Sequence, residues 1–190
     1  MTLLEFGGSS EATRSVEHQD TGMQGSTAVR TADAAGVLCV RLAVPDDIDH
    51  VKHIADVNRH ELGFVVRASL EDACRRASLF VALLSHPDSL SRQLLIGFVQ
   101  AHFRRDRQVT LHTIAVDQPY RFRGVGHALI SALLDAACER QMQVVLLRCP
   151  IDLAANAFYE TLGFQCSTIE PGKRRQLAVW TYVLKRSQNG

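Results

Sequence analysis

Long apolar runs, a surplus of charge of either sign and paired-cysteine motifs are all missing from this chain. Without an apolar run of membrane-crossing length, no spanning helix is expected. Lys and Arg total 21 against 20 Asp and Glu, a formal net charge of +1. That balance gives no electrostatic reason to expect a nucleic acid or a membrane surface as the main partner. The opening M-T-L-L-E-F-G-G has no basic region followed by an apolar core, so no secretory leader is expected. The five cysteines, Cys39, Cys74, Cys138, Cys149 and Cys166, are odd in number and form no C-x-x-C pair. Each sits among apolar residues, which reads as reduced, buried thiols in a cytoplasmic protein. His50, His53 and His60 lie near one another in sequence, but no H-E-x-x-H or carboxylate spacing accompanies them, so no metal is expected.

What is present suits one globular domain. The chain has 190 residues, 46% apolar and 22% charged, enough for a sizeable core. Residues 1–35 stand apart: after Phe6 they are nearly empty of large apolar side chains and rich in Ser, Thr, Gly, Glu and Gln. Such a stretch buries too little to offset its ordering entropy and reads as a flexible extension, with Leu3, Leu4 and Phe6 able to dock. Residues 36–186 read as the domain and 187–190 as a tail.

Patterning begins at Val37 with the strand V-L-C-V-R-L-A-V. Pro45 ends it, and Asp46 or Asp47 can cap a helix carrying Ile48, Val51, Ile54 and Ala55. Val66, Leu70, Ala73 and Cys74 mark a second helix. Strands follow at 78–84, 94–103 and 109–116, the first two joined by a turn over 85–93. Arg104-Arg105-Asp106-Arg107 reads as a solvated hairpin tip. A strongly amphipathic helix begins near Gly124, with Val125, Leu129, Leu133 and Ala137 as its stripe, widened by Ile130, Leu134 and Cys138. Residues 144–149 form a continuous apolar strand, as expected where both faces are buried. A helix over 152–162 ends at Gly163, and strands at 164–169 and 177–184 close the chain. The mixture predicts an α/β (α+β) sandwich around one mixed sheet.

Between a strand and the amphipathic helix lies Arg121-Phe122-Arg123-Gly124-Val125-Gly126. A helix start leaves backbone N–H groups unpaired and carries partial positive charge. Two glycines let a phosphate approach the backbone, and Arg121 and Arg123 add charged donors. These features suit a pyrophosphate. The dinucleotide fingerprint fails because Leu129 occupies the third glycine position. The P-loop fails because His127 follows Gly126.

R-x-x-G-x-G opening a helix resembles the coenzyme A loop of the GNAT superfamily. Asn156-Ala157-Phe158-Tyr159-Glu160-Thr161-Leu162-Gly163-Phe164 resembles that superfamily's late signature, in the right order. The resemblance implies a mixed, mainly antiparallel sheet flanked by helices, with a splayed parallel strand pair. It implies acetyl-CoA as co-substrate and transfer to the amine of a small molecule or peptide, directly and without an acyl-enzyme on Cys149. Ile114, Ala115 and Val116 would pair with the pantetheine arm. Arg121, Phe122, Arg123, Gly124, Val125, Gly126 and His127 would hold the pyrophosphate, and Asn156 would touch the cofactor. Tyr159 falls where many members place the general acid. His112 matches a position where the arylalkylamine N-acetyltransferases use a histidine base, although Thr110 stands where that branch has a second one. Strand alternation predicts Thr110, His112 and Ile114 on one face. Glu61, Glu71 and Asp117 are the alternative bases. A non-catalytic acyl-CoA-binding module stays open, as does a homodimer. The acceptor is not legible.

Overall fold

Alternating apolar residues build a sheet in which every strand but one runs against its neighbour. A computed structural model describes residues 29–33, 36–86 and 89–185. Strands β2 (Gly36–Leu42), β3 (Leu79–His86), β4 (Ser89–Phe103) and β5 (Gln108–Val116) form an antiparallel series. β1 (Val29–Asp33) pairs with the outer edge of β2. β6 (Val144–Pro150) lies parallel to β5, and β8 (Gln176–Val183) and β7 (Gln165–Pro171) complete the order β1-β2-β3-β4-β5-β6-β8-β7.

Helices cover both faces. α1 (Ile48–Val57), α2 (Arg59–Leu62) and α3 (Arg67–Arg75) connect β2 to β3. Ile48, Val51, Ile54, Leu70 and Ala73 pack there against Val81, Phe98 and Ala115. Asp47 anchors the entry to α1: its carboxylate accepts from the Val44 N–H at 2.8 Å and from Arg41 at 2.7 Å. On the opposite face, α4 (Val125–Glu139) is the crossover between β5 and β6 that a parallel pair requires. Leu129, Ile130, Leu133 and Ala137 bury its stripe against Ile96, Val99, Leu111 and Leu147. α5 (Ala155–Thr161) joins that core through Tyr159 and ends at Gly163, whose φ is +85°.

The parallel pairing is short. β5 and β6 are in register only from Gln108↔Val144 to Leu111↔Leu147. β4 pairs Ala101 with Leu111 and Gln100 with Thr113, which makes His112 an extra residue in β5. A bulge strengthens local twist and bends the strand that carries it. Beyond it, β5 keeps β4 as partner through Val116 while β6 stays with β8 through Pro150, so a gap opens between the parallel strands.

Several boundaries differ from the sequence reading. The sheet starts earlier, since Val29–Asp33 is a strand within the stretch read as an extension; the calls on Leu3, Leu4, Phe6 and the 187–190 tail lie outside the described residues. The β3–β4 turn is narrower than 85–93, because cross-strand pairing extends to His86↔Ser89. α5 begins at Ala155, three residues later than expected: residues 151–154 form a turn, and the Pro150 and Leu153 carbonyls accept from the Asn156 amide, both at 2.8 Å. Of the cysteines only Cys149 is buried; Cys138 and Cys166 are exposed, so the apolar stripe of α4 stops short of Cys138. No helix among the described residues is long and apolar enough to cross a membrane.

Candidate functional site

At the C-terminal end of β5 the chain makes two left-handed turns before entering α4. The Asp117 carboxylate accepts from the Gln118 N–H at 2.9 Å and starts a single 3₁₀ turn, Gln118–Tyr120, with Pro119 inside it. Phe122 then takes φ +61° and Gly124 φ +78°. The first N–H closed inside the helix is that of Ala128, onto the Gly124 carbonyl at 2.9 Å. The N–H groups of Phe122 to His127 find no backbone acceptor among the described residues. They form a cradle of unpaired donors at the positive end of a 15-residue helix. Arg123 and His127 are exposed beside it, and the Phe122 ring is fully exposed at 105%.

The two glycines serve different ends. A Cβ on Gly124 would meet nothing within 4 Å, so that glycine is required by its positive φ and leaves the cradle open. A Cβ on Gly126 would lie 3.1 Å from Cζ of Phe158, so that glycine lets α5 press against the first turn of α4.

Arg121 has partners other than those the sequence suggested. Its Nε donates to the Val116 carbonyl at 3.1 Å, and its Nη atoms reach Asn58 and, at 3.4–3.5 Å, Glu61. The guanidinium thereby straps the end of β5 to α1 and α2. Asn156 is likewise engaged inward. Its amide donates to the Pro150 and Leu153 carbonyls, both at 2.8 Å, and its Oδ1 accepts from Trp180 Nε1 at 2.9 Å. Both amide hydrogens are spent on the β6–α5 turn.

Ile114, Ala115 and Val116 lie on the stretch of β5 beyond the last pairing with β6. Ile114 and Val116 pack toward the α4 core, and Ala115 toward the α1–α3 core. His112 does not share a face with Ile114. The bulge inverts the alternation, so the His112 ring lines a shallow polar cleft of about 110 Å³ on the α3 side with Ser69, Asp72, Arg76, Gln100 and His102. The His102 and His112 rings lie 6.5 Å apart. Although His112 is solvent-accessible, partial desolvation by the cleft wall, with a smaller contribution from His102, holds its imidazole below the usual range.

Tyr159 approaches from the other face. Its side chain is 5% exposed, with its ring against Phe158, Phe164 and Trp180, and it makes no hydrogen bond among the described residues. Burial, with the nearby Cys149 thiol adding to it, pushes the phenol upward. Burial also pushes the Cys149 thiol up to about 11, with Asp152 adding to the shift. The alternative carboxylates are occupied: Glu61 by Arg121, Glu71 by Arg67 at 2.9 Å, and Asp117 by the Gln118 N–H. No group of three His, Cys, Asp or Glu residues suited to a metal occurs among the described residues.

Sequence reasoning missed two participants. His102 reaches the cleft because β4 pairs it with Thr110 across the hairpin, a register that alternation through 100–112 could have suggested. The Arg121 strap has no local signal, since its partners lie about sixty residues upstream.

The model of the acetyltransferase (GNAT) family matches residues 51–164. An [Ribosomal protein bS18]-alanine N-acetyltransferase of Escherichia coli is 40% identical over 63 residues, which is 33% of this chain and 43% of that protein. The chain thus matches less than half the length of this curated relative. Among solved structures, Ard1 from Thermoplasma volcanium superposes with a TM-score of 0.68 at 24% identity, covering 78% of this chain and 99% of that one. Rv2747 from Mycobacterium tuberculosis, in complex with CoA, gives 0.58 at 24% identity over 71% and 76%.

Proposed function

Because the chain belongs to the acetyltransferase (GNAT) family, we propose that it is an acetyl-CoA-dependent N-acetyltransferase of the cytoplasm. It transfers the acetyl group directly to a primary amine of a small molecule or peptide. One observation carries this reading: the parallel pairing of β5 and β6 stops at Leu111↔Leu147, and His112 comes just after it on the α3 side, while Tyr159 belongs to the core on the α4 side.

The residues present fit the cofactor. The unpaired N–H groups from Phe122 to His127, the open space at Gly124 and the exposed Arg123 suit a pyrophosphate. The edge of β5 that faces β6 has no strand partner from Ile114 to Val116, which suits an amide-bearing arm. Acetyl-CoA supplies an activated thioester. A CoA complex of one fold relative and the amine-acetylating names of others support the assignment.

An ammonium cannot attack a carbonyl carbon, so the acceptor must first lose a proton. His112 receives it on the α3 side, directly or through water, and its depressed basicity keeps a large neutral fraction at pH 7. Tyr159 stays protonated across the working range and donates toward the departing sulfur from the α4 side. Cys149 is not a nucleophile here, because burial holds its thiol protonated.

The test is a screen of amines and peptides with acetyl-CoA, read by release of free thiol, beside calorimetry with CoA. Turnover of at least one amine supports the reading. Binding without turnover of any amine leaves a non-catalytic acyl-CoA-binding module instead. No binding at high micromolar concentration overturns both.

A further inference from the structure

β4 and β5 bring two imidazoles to one cleft from positions ten residues apart in sequence. His102 stands opposite Thr110, one residue before the end of the parallel pairing, and His112 is the extra residue of the bulge just after it. Because of the bulge, Thr113 takes the register position after Leu111, opposite Gln100, where an uninterrupted ladder would place His112. The rings are 6.5 Å apart and tilted by 46°.

The rest of the cleft is already satisfied. Gln100, 5% exposed, donates to Ser69 Oγ at 2.7 Å and fixes the floor to α3. Ser78 donates to the Ala73 carbonyl at 3.1 Å. Asp72 is bonded to Arg76 at 2.7 Å and Arg75 at 3.2 Å, so α3 presents an ion-paired cluster rather than a lone charge. Beyond His102, the Arg104 of the hairpin tip is paired with Asp106 at 2.7 Å. Neither imidazole has a hydrogen bond among the described residues, which makes them the cleft's two uncommitted titratable groups.

We propose that His102 works with His112 as a two-imidazole unit that takes up the acceptor's proton on the α3 side of the gap. His102 is a positioning residue, acting through His112 and not on the acetyl group. This rests on the transferase reading above. Two imidazoles this close repel when both are charged, so a proton on one disfavours a proton on the other. Partial desolvation at the cleft wall further disfavours the charged form of His112. In the step itself one N–H bond of the ammonium breaks and one N–H bond on His112 forms; the pair then returns the proton to solvent.

Histidine ring resonances, assigned by comparing the wild type with His102→Gln and His112→Gln, are followed by NMR across pH 5–8 on the full chain without cofactor or acceptor. The expected result is that His102→Gln raises the His112 midpoint by about half a unit, as loss of a neighbouring like charge requires. With an amine from the screen, the acidic limb of kcat/KM moves upward by the same increment, and activity falls more at pH 6 than at pH 8. A merely structural role would lower activity equally at all pH values. If His102→Gln leaves both the midpoint and the limb in place, the inference is overturned. If no amine is acetylated but the midpoints remain coupled, the pairing stands and the transferase reading fails.

Discussion

The guanidinium of Arg121 bridges to the carboxylate of Glu61 at 3.4 Å and to the side chain of Asn58, while holding the Val116 carbonyl at 3.1 Å. One side chain thus ties the last residue of β5 to the α1–α2 junction. Asn58 is 3% exposed, so its Oδ1 depends on this donor. The arginine next to the cradle is therefore occupied, and Arg123 is the one turned to solvent.

These two arginines should separate cleanly on mutation. Arg121→Ala removes hydrogen bonds to a buried side chain and a strand-end carbonyl and should cost about 1–2 kcal/mol of stability. Arg123→Ala should change stability by less than about 0.5 kcal/mol. It should instead weaken CoA binding, with the loss shrinking as salt is added. Urea unfolding and calorimetry at two ionic strengths check both. Equal effects of the two variants on stability would contradict the strap.

Gly124 is held at φ +78° with open space where a side chain would go. Gly124→Val should carry a backbone cost of about 1–2 kcal/mol and lower CoA affinity at least about tenfold, because a branched Cβ would occupy the phosphate approach. Calorimetry decides it. A valine variant that binds CoA as well as the wild type would locate the pyrophosphate elsewhere.

Gly126 faces a different neighbour. Gly126→Ala places a methyl 3.1 Å from the Phe158 ring and should push α4 and α5 apart. Phe158→Leu should partly restore the stability lost in Gly126→Ala. A double-mutant cycle measured by denaturant unfolding should show coupling of about 0.5–3 kcal/mol. Additive effects would mean that the two helices do not constrain each other there.

Tyr159→Phe keeps the ring packed against Phe158, Phe164 and Trp180 and removes a hydroxyl that bonds nothing among the described residues. The variant should melt within a few degrees of wild type and bind CoA unchanged. Its kcat should fall at least about tenfold, within the range for a positioned acid. An unchanged kcat would remove Tyr159 from the reaction.

The amphipathic stripe of α4, the Gly163 stop and the gap's two strands were legible because each rests on local chemistry: a periodicity, a glycine, an apolar run. The cradle was legible for the same reason, since a helix start with glycine at its cap signals itself within six residues. The inward partners of Asn156 and Arg121 were not legible because a polar side chain near a motif can turn inward as easily as outward. Only tertiary partners, Trp180 for one and Asn58 for the other, decide which. The face of His112 was misread because alternation assumes an uninterrupted ladder, and nothing local marks the bulge. Cys138 was misread because an apolar stripe does not announce where its neighbours end.

That extra residue makes β5 a strand with two reading frames. Deleting His112 would return the strand to one frame: Leu111, Thr113 and Ile114 would keep Ala101, Gln100 and Val99 opposite them, and so keep their faces. Flattening the bulge with every residue kept would do the opposite. Ile114 would turn from the α4 core toward α3, and Ala115 would do the reverse, putting a small side chain where a large one fills space and a large one where only a small one fits. Loss of the extra residue is thus parity-neutral, and loss of the bulge alone is a parity error.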